Sequence, residues 1–391
     1  MEANKETTVM VMSRDRELFE AVLSPQGEVM EVGPVLDDVH LPVCLTGDGG
    51  VSAETVTRWL SKRGIPGKRD GWEEVRETFP ELGHAKHRFS LSDPYWLRYD
   101  DSETWEEGNF FTRAYETDFG RASFAPWTVR RERLSEESPD ETTNGVLKKR
   151  WIQPLAQKGD YTSCLIKAAF PAARQDPVSE VLASMMLDQL NVLPHVTYEL
   201  CVDGLGFCSR CENFVTEGTE YVPASHVYYL RNREEHMSRL GHMVKMSEES
   251  GVADAEDFLL KMVAVDAAIG NTDRNLGNFG FLRDVETGRI TGFAPLFDCG
   301  TAFYWGEGQK IDSRIFADDE AWAIKYARQR GMKKPTLDKM LALITSYPML
   351  SVQEKDRLKN EMTETTERVF AKPKPMSCAE RFPGRGEECW H

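Results

Sequence analysis

The residues best suited to chemistry lie in one stretch, Val265–Phe303, which reads VDAAIGNTDRNLGNFGFLRDVETGRITGFAPLFDCGTAF. Asp273 and Asn278 stand five positions apart in D-R-N-L-G-N, and Asp298 follows the apolar run that ends in Phe297. An amide oxygen and a carboxylate oxygen are donors that Mg²⁺ accepts, with its remaining positions left to water and phosphate. Asp273, just ahead of that pair, is placed to take or orient the proton of an attacking hydroxyl. A D-x-x-x-x-N loop followed, after a hairpin, by a metal-binding Asp is the equipment of phosphoryl transfer. Singly, the residues have plain structural roles. Asp273 suits an Asx turn at a helix end, and Asp298 suits a strand end before a turn at Gly300. The joint order of helix stop, loop, hairpin and apolar-Phe-Asp-x-Gly is what points to chemistry.

These side chains need a scaffold that gathers them. A buried helix is expected over 255–270, ending at Gly270, with Asn271–Asp273 as a turn. FGFL, DVETGR and ITGFAPLF then read as a hairpin, whose outer ends carry Asn278 and Asp298 and bring them side by side. Upstream, CLIKAAF (164–170) is a short apolar strand with one lysine, Lys167. A lysine buried there requires a partner charge, whereas one on an edge strand reaches solvent. Pro177 opens a helix, PVSEVLASMMLDQLNV, with Asp176 as its N-cap and with Val178, Leu182 and Met185 at helical spacing. HVTYELCVDGLG and FCSRCENFV read as two strands of a hairpin. Further helices are expected over 319–330, 337–346 and 352–369, and the tail after them, rich in Pro and Gly, reads as irregular.

The clearest break is 131–145, RERLSEESPDETTNG, which is too polar to bury much apolar surface and reads as a linker. Residues 1–130 form a separate unit whose role no motif discloses. It holds an expected helix over 52–64, capped by Ser52, and two aromatic stretches, DPYWLRY and FFTRAY, that suit core or a domain interface. Beyond the linker, the strand-rich part followed by a helix-rich part predicts two lobes with a cleft between them: 146–216 and 217–391.

Composition narrows the class. The 391 residues are 40% hydrophobic and carry 64 Asp+Glu against 48 Lys+Arg, a net charge of −16. So acidic a chain is a poor match for direct nucleic acid binding or an anionic membrane surface. The N-terminal segment builds no signal-peptide core and no apolar run reaches about 18 residues, so a cytoplasmic protein with its eight cysteines reduced is expected. Cys208 and Cys211 form a C-x-x-C, for which the further zinc ligands on offer (Cys201, Cys378, Cys389, His391) are poorly spaced, so strand cysteines are expected. No G-x-S-x-G, H-E-x-x-H or Walker A sequence appears.

NTDRNLGNFGF followed by APLFDCGTAF resembles the HipA-like serine/threonine kinases, the toxin kinases of bacterial toxin–antitoxin modules, over roughly residues 140–350. The resemblance implies an α+β, two-lobed, protein-kinase-like fold with an N-terminal α+β extension. It implies ATP and Mg²⁺ as cofactors, a protein Ser/Thr acceptor as substrate and a helix-turn-helix antitoxin as partner. It makes Asp273 the catalytic base, Asn278 and Asp298 the metal ligands, Lys167 the lysine on the α/β-phosphates and Glu180 that lysine's partner. Gly145 and Lys149 align with the phosphate loop, Thr142 and Thr143 are near enough to assist, and Phe214 and Val215 fall at the adenine hinge. Where many members have His two positions after the catalytic Asp, this chain has Asn275. The D-R-N-x-x-N form is also similar to phosphatidylinositol kinases, which keeps a lipid or small-molecule acceptor as the alternative, alongside a pseudokinase that binds without turnover.

Overall fold

TTVMVMS and RELFEAVL are short runs rich in apolar residues, joined by the polar Arg14–Asp15, the pattern of two strands in a hairpin. These segments pair as β1 (Thr7–Ser13) and β2 (Arg16–Leu23) in the computed structural model of the chain. The structure describes residues 6–371 apart from 80, 81, 84, 131–133, 135, 136, 155–160, 170–173, 205 and 305–311. With β3 (Val29–Val32) and β4 (Tyr95–Arg98) the first strands form an antiparallel sheet in the order β3-β2-β1-β4. Helix α1 (Ala53–Ser61) begins where Ser52 and Thr55 cap each other, and buries Val56, Trp59 and Leu60 against this sheet. Three such side chains contribute roughly 1.5–3 kcal/mol each, enough to fix the helix in place. The aromatic stretches are core: Trp96 stacks on Phe89 at 5.0 Å, beside Trp105 and Phe110. Three short helices, α2 (Trp72–Thr78), α3 (Trp105–Gly108) and α4 (Asp118–Phe124), complete the unit.

The polar stretch expected to be a linker is a packed turn in its described part. Pro139–Thr142 form a 3₁₀ turn in which Asp140 is wholly buried. Asp140 Oδ1 accepts the Trp151 N–H (2.8 Å), and the Thr142 hydroxyl donates to Phe89 O (2.9 Å). Low apolar content excludes a hydrophobic core, but it does not exclude burial when each polar group finds a partner.

The second sheet, β5-β6-β8-β7, consists of β5 (Lys149–Ile152), β6 (Cys164–Ala168), β7 (Glu199–Asp203) and β8 (Gly206–Glu212). Helix α5 (Asp176–Leu190) packs behind it; the position before its first residue is Gln175, which makes no side-chain capping bond, and Asp176 is the first helical residue, so the Pro comes second in the helix. Cys208 and Cys211, three apart on β8, face opposite sides of the sheet and enter different apolar clusters, so they cannot share a metal. Among the described residues no three His, Cys, Asp or Glu side chains gather as a metal site, and no helix is long and apolar enough to cross a membrane. Cys378, Cys389 and His391 lie outside the described residues.

After residues 213–218 the chain enters the third sheet, β11-β10-β9, formed by β9 (Thr219–Pro223), β10 (Gly280–Asp284) and β11 (Ile290–Phe293). Around it lie α6 (Ala224–Tyr228), α7 (Arg239–Glu249), α8 (Ala255–Ile269), α9 (Glu320–Gln329), α10 (Asp338–Ser346) and α11 (Val352–Phe370). Helix α8 is apolar on nearly every side and is buried by its neighbours, as a central helix must be. The hairpin is shorter than its sequence suggests. Past Phe293 the chain leaves the sheet, and Leu296 bonds to the segment ahead of β7 through Val196 N–H to Leu296 O (2.8 Å). That exit carries Phe297 and Asp298 across to the second sheet.

The N-terminal unit is docked on this body. Arg283 of β10 donates to the carbonyls of Leu41 (2.8 Å) and Val39 (2.6 Å) and to the Tyr95 hydroxyl (2.9 Å), with Glu220 as its ion-pair partner (3.2 Å).

Candidate active site

Helix α8 ends because Gly270 adopts the left-handed conformation (φ 61°), open to glycine without a Cβ clash. Asn271, fully buried, then takes the Asx role. Its Oδ1 accepts the Asp273 N–H (3.2 Å) and the Thr301 hydroxyl (2.6 Å), and its Nδ2 donates to Asp266 (2.8 Å). Asp273 is thereby free of capping. Its Oδ1 accepts from Asn275 Nδ2 (2.9 Å) and the Ser313 hydroxyl (2.5 Å), and its Oδ2 accepts from Asn278 Nδ2 (3.1 Å).

Arg274 fixes the ends of the hairpin. Its guanidinium and the Asp266 carboxylate are each 2% exposed and pair at 3.0 Å. The same guanidinium donates to the carbonyls of Asn278 (2.6 Å) and Phe297 (2.7 Å). One cation thus holds the backbone at Asn278 and next to Asp298, which is why these two residues face one cavity.

From the second sheet, Lys167 reaches the same place. Its Nζ donates to Glu180 Oε1 (2.9 Å) and Asp298 Oδ1 (2.7 Å), with the Tyr198 hydroxyl at 3.4 Å. Glu180 Oε2 accepts the Cys299 N–H (2.9 Å), and the Asp298 N–H donates to the Tyr198 hydroxyl (3.3 Å). These bonds hold Asp298 at φ 57°, a backbone conformation that non-glycine residues rarely adopt. Burial works to raise the Asp298 pKa, but Lys167 and then Lys149 outweigh it and hold it down at about 2. Burial acts against the Lys167 charge as well, and the Asp298 and Glu180 carboxylates keep its pKa well above that of a free lysine.

Lys149 lies across the β5–β6 ladder from Lys167. Burial, and next the Lys167 charge, push its pKa down to about 7. Gly145 (φ 106°) passes so close that a Cβ there would stand 2.1 Å from Lys149 Nζ. Arg69 of the N-terminal unit bonds the carbonyls of Gly145 (3.1 Å) and Thr143, tying this loop to residues upstream of the break. The threonine hydroxyls are committed elsewhere: Thr142 donates to Phe89 O, and Thr143 donates to Pro139 O (2.7 Å) while accepting from Trp151 Nε1 (2.9 Å). They are not free to assist a phosphate. Nor is the Val215 N–H free for an adenine, since it donates to Asn213 Oδ1 (3.1 Å). The Phe214 ring packs against Phe297 (5.7 Å) and Tyr221 (5.8 Å).

Gly145, Lys149, Lys167, Phe214, Val215, Asn278 and Asp298 all line one cavity of about 560 Å³. Glu180 stands behind Lys167, and Asp273 reaches the cavity's edge through Asn275 and Asn278, which line it. The N-terminal unit supplies Trp59, Lys62, Leu91 and Asp93 to the same cavity. The donor set fits a hard cation. Asn278 turns its Nδ2 to Asp273 and thus its Oδ1 away, while Asp298, 35% exposed, gives only Oδ1 to Lys167. Tyr198, Arg274 and Ser313 were not foreseen from sequence. Arg274 alone carried a signal, being a charged residue inside the D-R-N loop.

No family model matches the chain. The serine/threonine-protein kinase CtkA of Helicobacter pylori is 27% identical over 141 residues, 34% of this chain. The match spans 42% of the length of that curated relative. HipA of Shewanella oneidensis MR-1, solved as a toxin–antitoxin system with HipB and operator DNA, superposes over 92% of this chain and 96% of its own, with a TM-score of 0.52 at 11% identity. This chain has the HipA fold. A crystal structure of the H. pylori proinflammatory kinase CtkA aligns over 56% of this chain and 90% of its own, at 19% identity and a TM-score of 0.43.

Proposed function

We propose that this HipA-fold chain is an ATP- and Mg²⁺-dependent protein kinase that phosphorylates serine or threonine. The observation that carries this reading is the Lys167 ammonium bonded at once to Glu180 and Asp298, in a cavity shared with Asn278. A buried lysine between two carboxylates is costly to assemble and has little purpose in packing alone, but it suits a site that receives a triphosphate.

In this reading Lys167, held by Glu180, meets the α/β-phosphates, and Lys149 faces them from the neighbouring strand, where phosphate charge would favour its protonated form. Phe214 and Phe297 offer apolar surface for the base. Mg²⁺ on Asn278 and Asp298 would neutralise charge on the phosphate oxygens and align them for transfer. Asp273 orients the acceptor hydroxyl and takes its proton as the oxygen attacks the γ-phosphorus and ADP departs. Placement and electrostatics supply most of the acceleration.

The relatives suggest the setting. CtkA is a serine/threonine-protein kinase and the S. oneidensis HipA was solved with HipB and operator DNA, so we assign this chain a protein acceptor and an antitoxin partner. The net charge of −16 disfavours direct contact with DNA, so any role there passes through the partner. The test is transfer of label from γ-labelled ATP with Mg²⁺ to proteins of a cell lysate. Asp298→Ala is expected to lower the rate by about a hundredfold or more. Transfer at the normal rate by that variant would sink the reading.

A further inference from the structure

The two oxygens of the Asp273 carboxylate are unequally engaged. Oδ1 accepts two side-chain donors, Asn275 Nδ2 at 2.9 Å and Ser313 Oγ at 2.5 Å, whereas Oδ2 accepts one, Asn278 Nδ2 at 3.1 Å. Two donors use the in-plane lone pairs of one carboxylate oxygen, so an arriving hydroxyl finds its acceptor on Oδ2, the side of Asn278.

Ser313 is no loose neighbour. Its N–H donates to Thr272 O (2.9 Å), and two residues on the Ile315 N–H donates to Arg274 O (3.1 Å). These main-chain bonds bracket Asp273, so the 313–315 segment runs along the loop like a short rung of sheet. Asn275 is held as firmly: its N–H donates to Asp273 O (3.0 Å), and its Oδ1 accepts the Gly277 N–H (2.8 Å).

We propose that Ser313 and Asn275 are positioning residues for Asp273: together they occupy Oδ1 and turn Oδ2 toward the acceptor hydroxyl, so that the hydroxyl is recognised on the side of the carboxylate that faces Asn278. This inference rests on the phosphotransfer reading of Asp273. It gives Asn275, the departure from the His of many relatives, a role that a neutral amide fills. Ser313 is separated from Asp273 by the whole hairpin and the segment after it, so the clamp exists only once the helical lobe has folded.

The test compares wild type, Ser313→Ala, Ser313→Thr and Asn275→Ala, with steady-state kinetics in ATP and in the acceptor proteins of a lysate fraction, and with melting temperature and intact mass as controls. A hydrogen bond to an ionised group corresponds to about ten- to a hundredfold in rate, the loss expected in kcat for Ser313→Ala, with the KM for ATP changed less than about twofold. Asn275→Ala is expected to lose kcat in the same way, and Ser313→Thr, which restores a hydroxyl, to recover most of it. Several results would overturn the inference: kcat kept in Ser313→Ala, Ser313→Thr as slow as the alanine variant, a lost melting temperature and a raised KM that account for the whole decline, or phosphate found on Ser313 itself. Wild-type protein unable to transfer phosphate would refute the phosphotransfer reading as well, whereas active wild type with an indifferent Ser313→Ala refutes this inference alone.

Discussion

Arg274→Met is the substitution that most directly probes how the site is held together. Methionine approximates the length of the arginine side chain, so the change removes charge and hydrogen bonds more than volume. What is lost is an ion pair in which both partners are 2% exposed, together with the donors to the carbonyls of Asn278 and Phe297. Breaking one side of a buried pair leaves the other charge uncompensated and costs about 3–5 kcal/mol. At roughly 2–4 °C per kcal/mol for a domain of this size, the unfolding midpoint should fall by about 10 °C. The companion variant is Arg274→Met with Asp266→Asn, which removes the stranded carboxylate. Asp266 keeps its bond from Asn271 Nδ2, which the new amide oxygen can still accept, so the double variant should regain on the order of 1–3 kcal/mol. Scanning calorimetry of the full chain with Mg²⁺ and without nucleotide is the assay. A midpoint within roughly 2 °C of wild type for Arg274→Met would refute the view that this guanidinium pins the hairpin ends.

Gly145→Ala forces a Cβ to within 2.1 Å of Lys149 Nζ at a residue with φ 106°, so the loop or the lysine must move. Affinity for ATP should drop about tenfold or more by calorimetric titration, and an unchanged affinity would exclude Gly145 and Lys149 from the phosphate site. Asp140 supplies a pH test. Burial, set against the bond from Trp151 N–H and the charges of Arg69 and Arg150, raises its pKa to about 7. The native state therefore holds a proton that the unfolded chain releases near pH 4, so this contribution to stability is complete below that pH and disappears as the pH rises through about 7. Glu220, also raised to about 7 by burial, acts in the same direction. Between pH 5 and pH 8 the wild-type midpoint should fall relative to that of Asp140→Asn; equal slopes for the two proteins would exclude Asp140 as a source.

Many of the helices were legible because their signals are local. Gly270 stops a helix wherever the chain must turn left-handed, and Ser52 with Thr55 caps α1 through neighbours in sequence. Lys167 stood out as a charge in an apolar strand, whereas Glu180 was named as its partner only through the HipA-like resemblance; the two side chains pair at 2.9 Å. What stayed hidden depends on partners distant in sequence. Asp140 and Thr142 look like linker until Trp151 and Phe89 are seen to satisfy them, and the Thr143 hydroxyl looks available until Trp151 is seen to reach it. Residues 1–130 carry no motif, yet Arg69 holds the loop at Gly145 and Trp59 walls the cavity, roles that tertiary contact alone creates.

The most direct measurement is phosphoamino acid analysis of lysate proteins labelled from γ-labelled ATP and Mg²⁺ by the wild-type chain and by Asp273→Asn. Label on serine or threonine with wild type, reduced by about 10²- to 10⁴-fold with Asp273→Asn while ATP binding persists, is the predicted result. Equal labelling by the two proteins would contradict Asp273 as the base, and ATP bound by wild type without transfer to any hydroxyl would contradict the kinase itself.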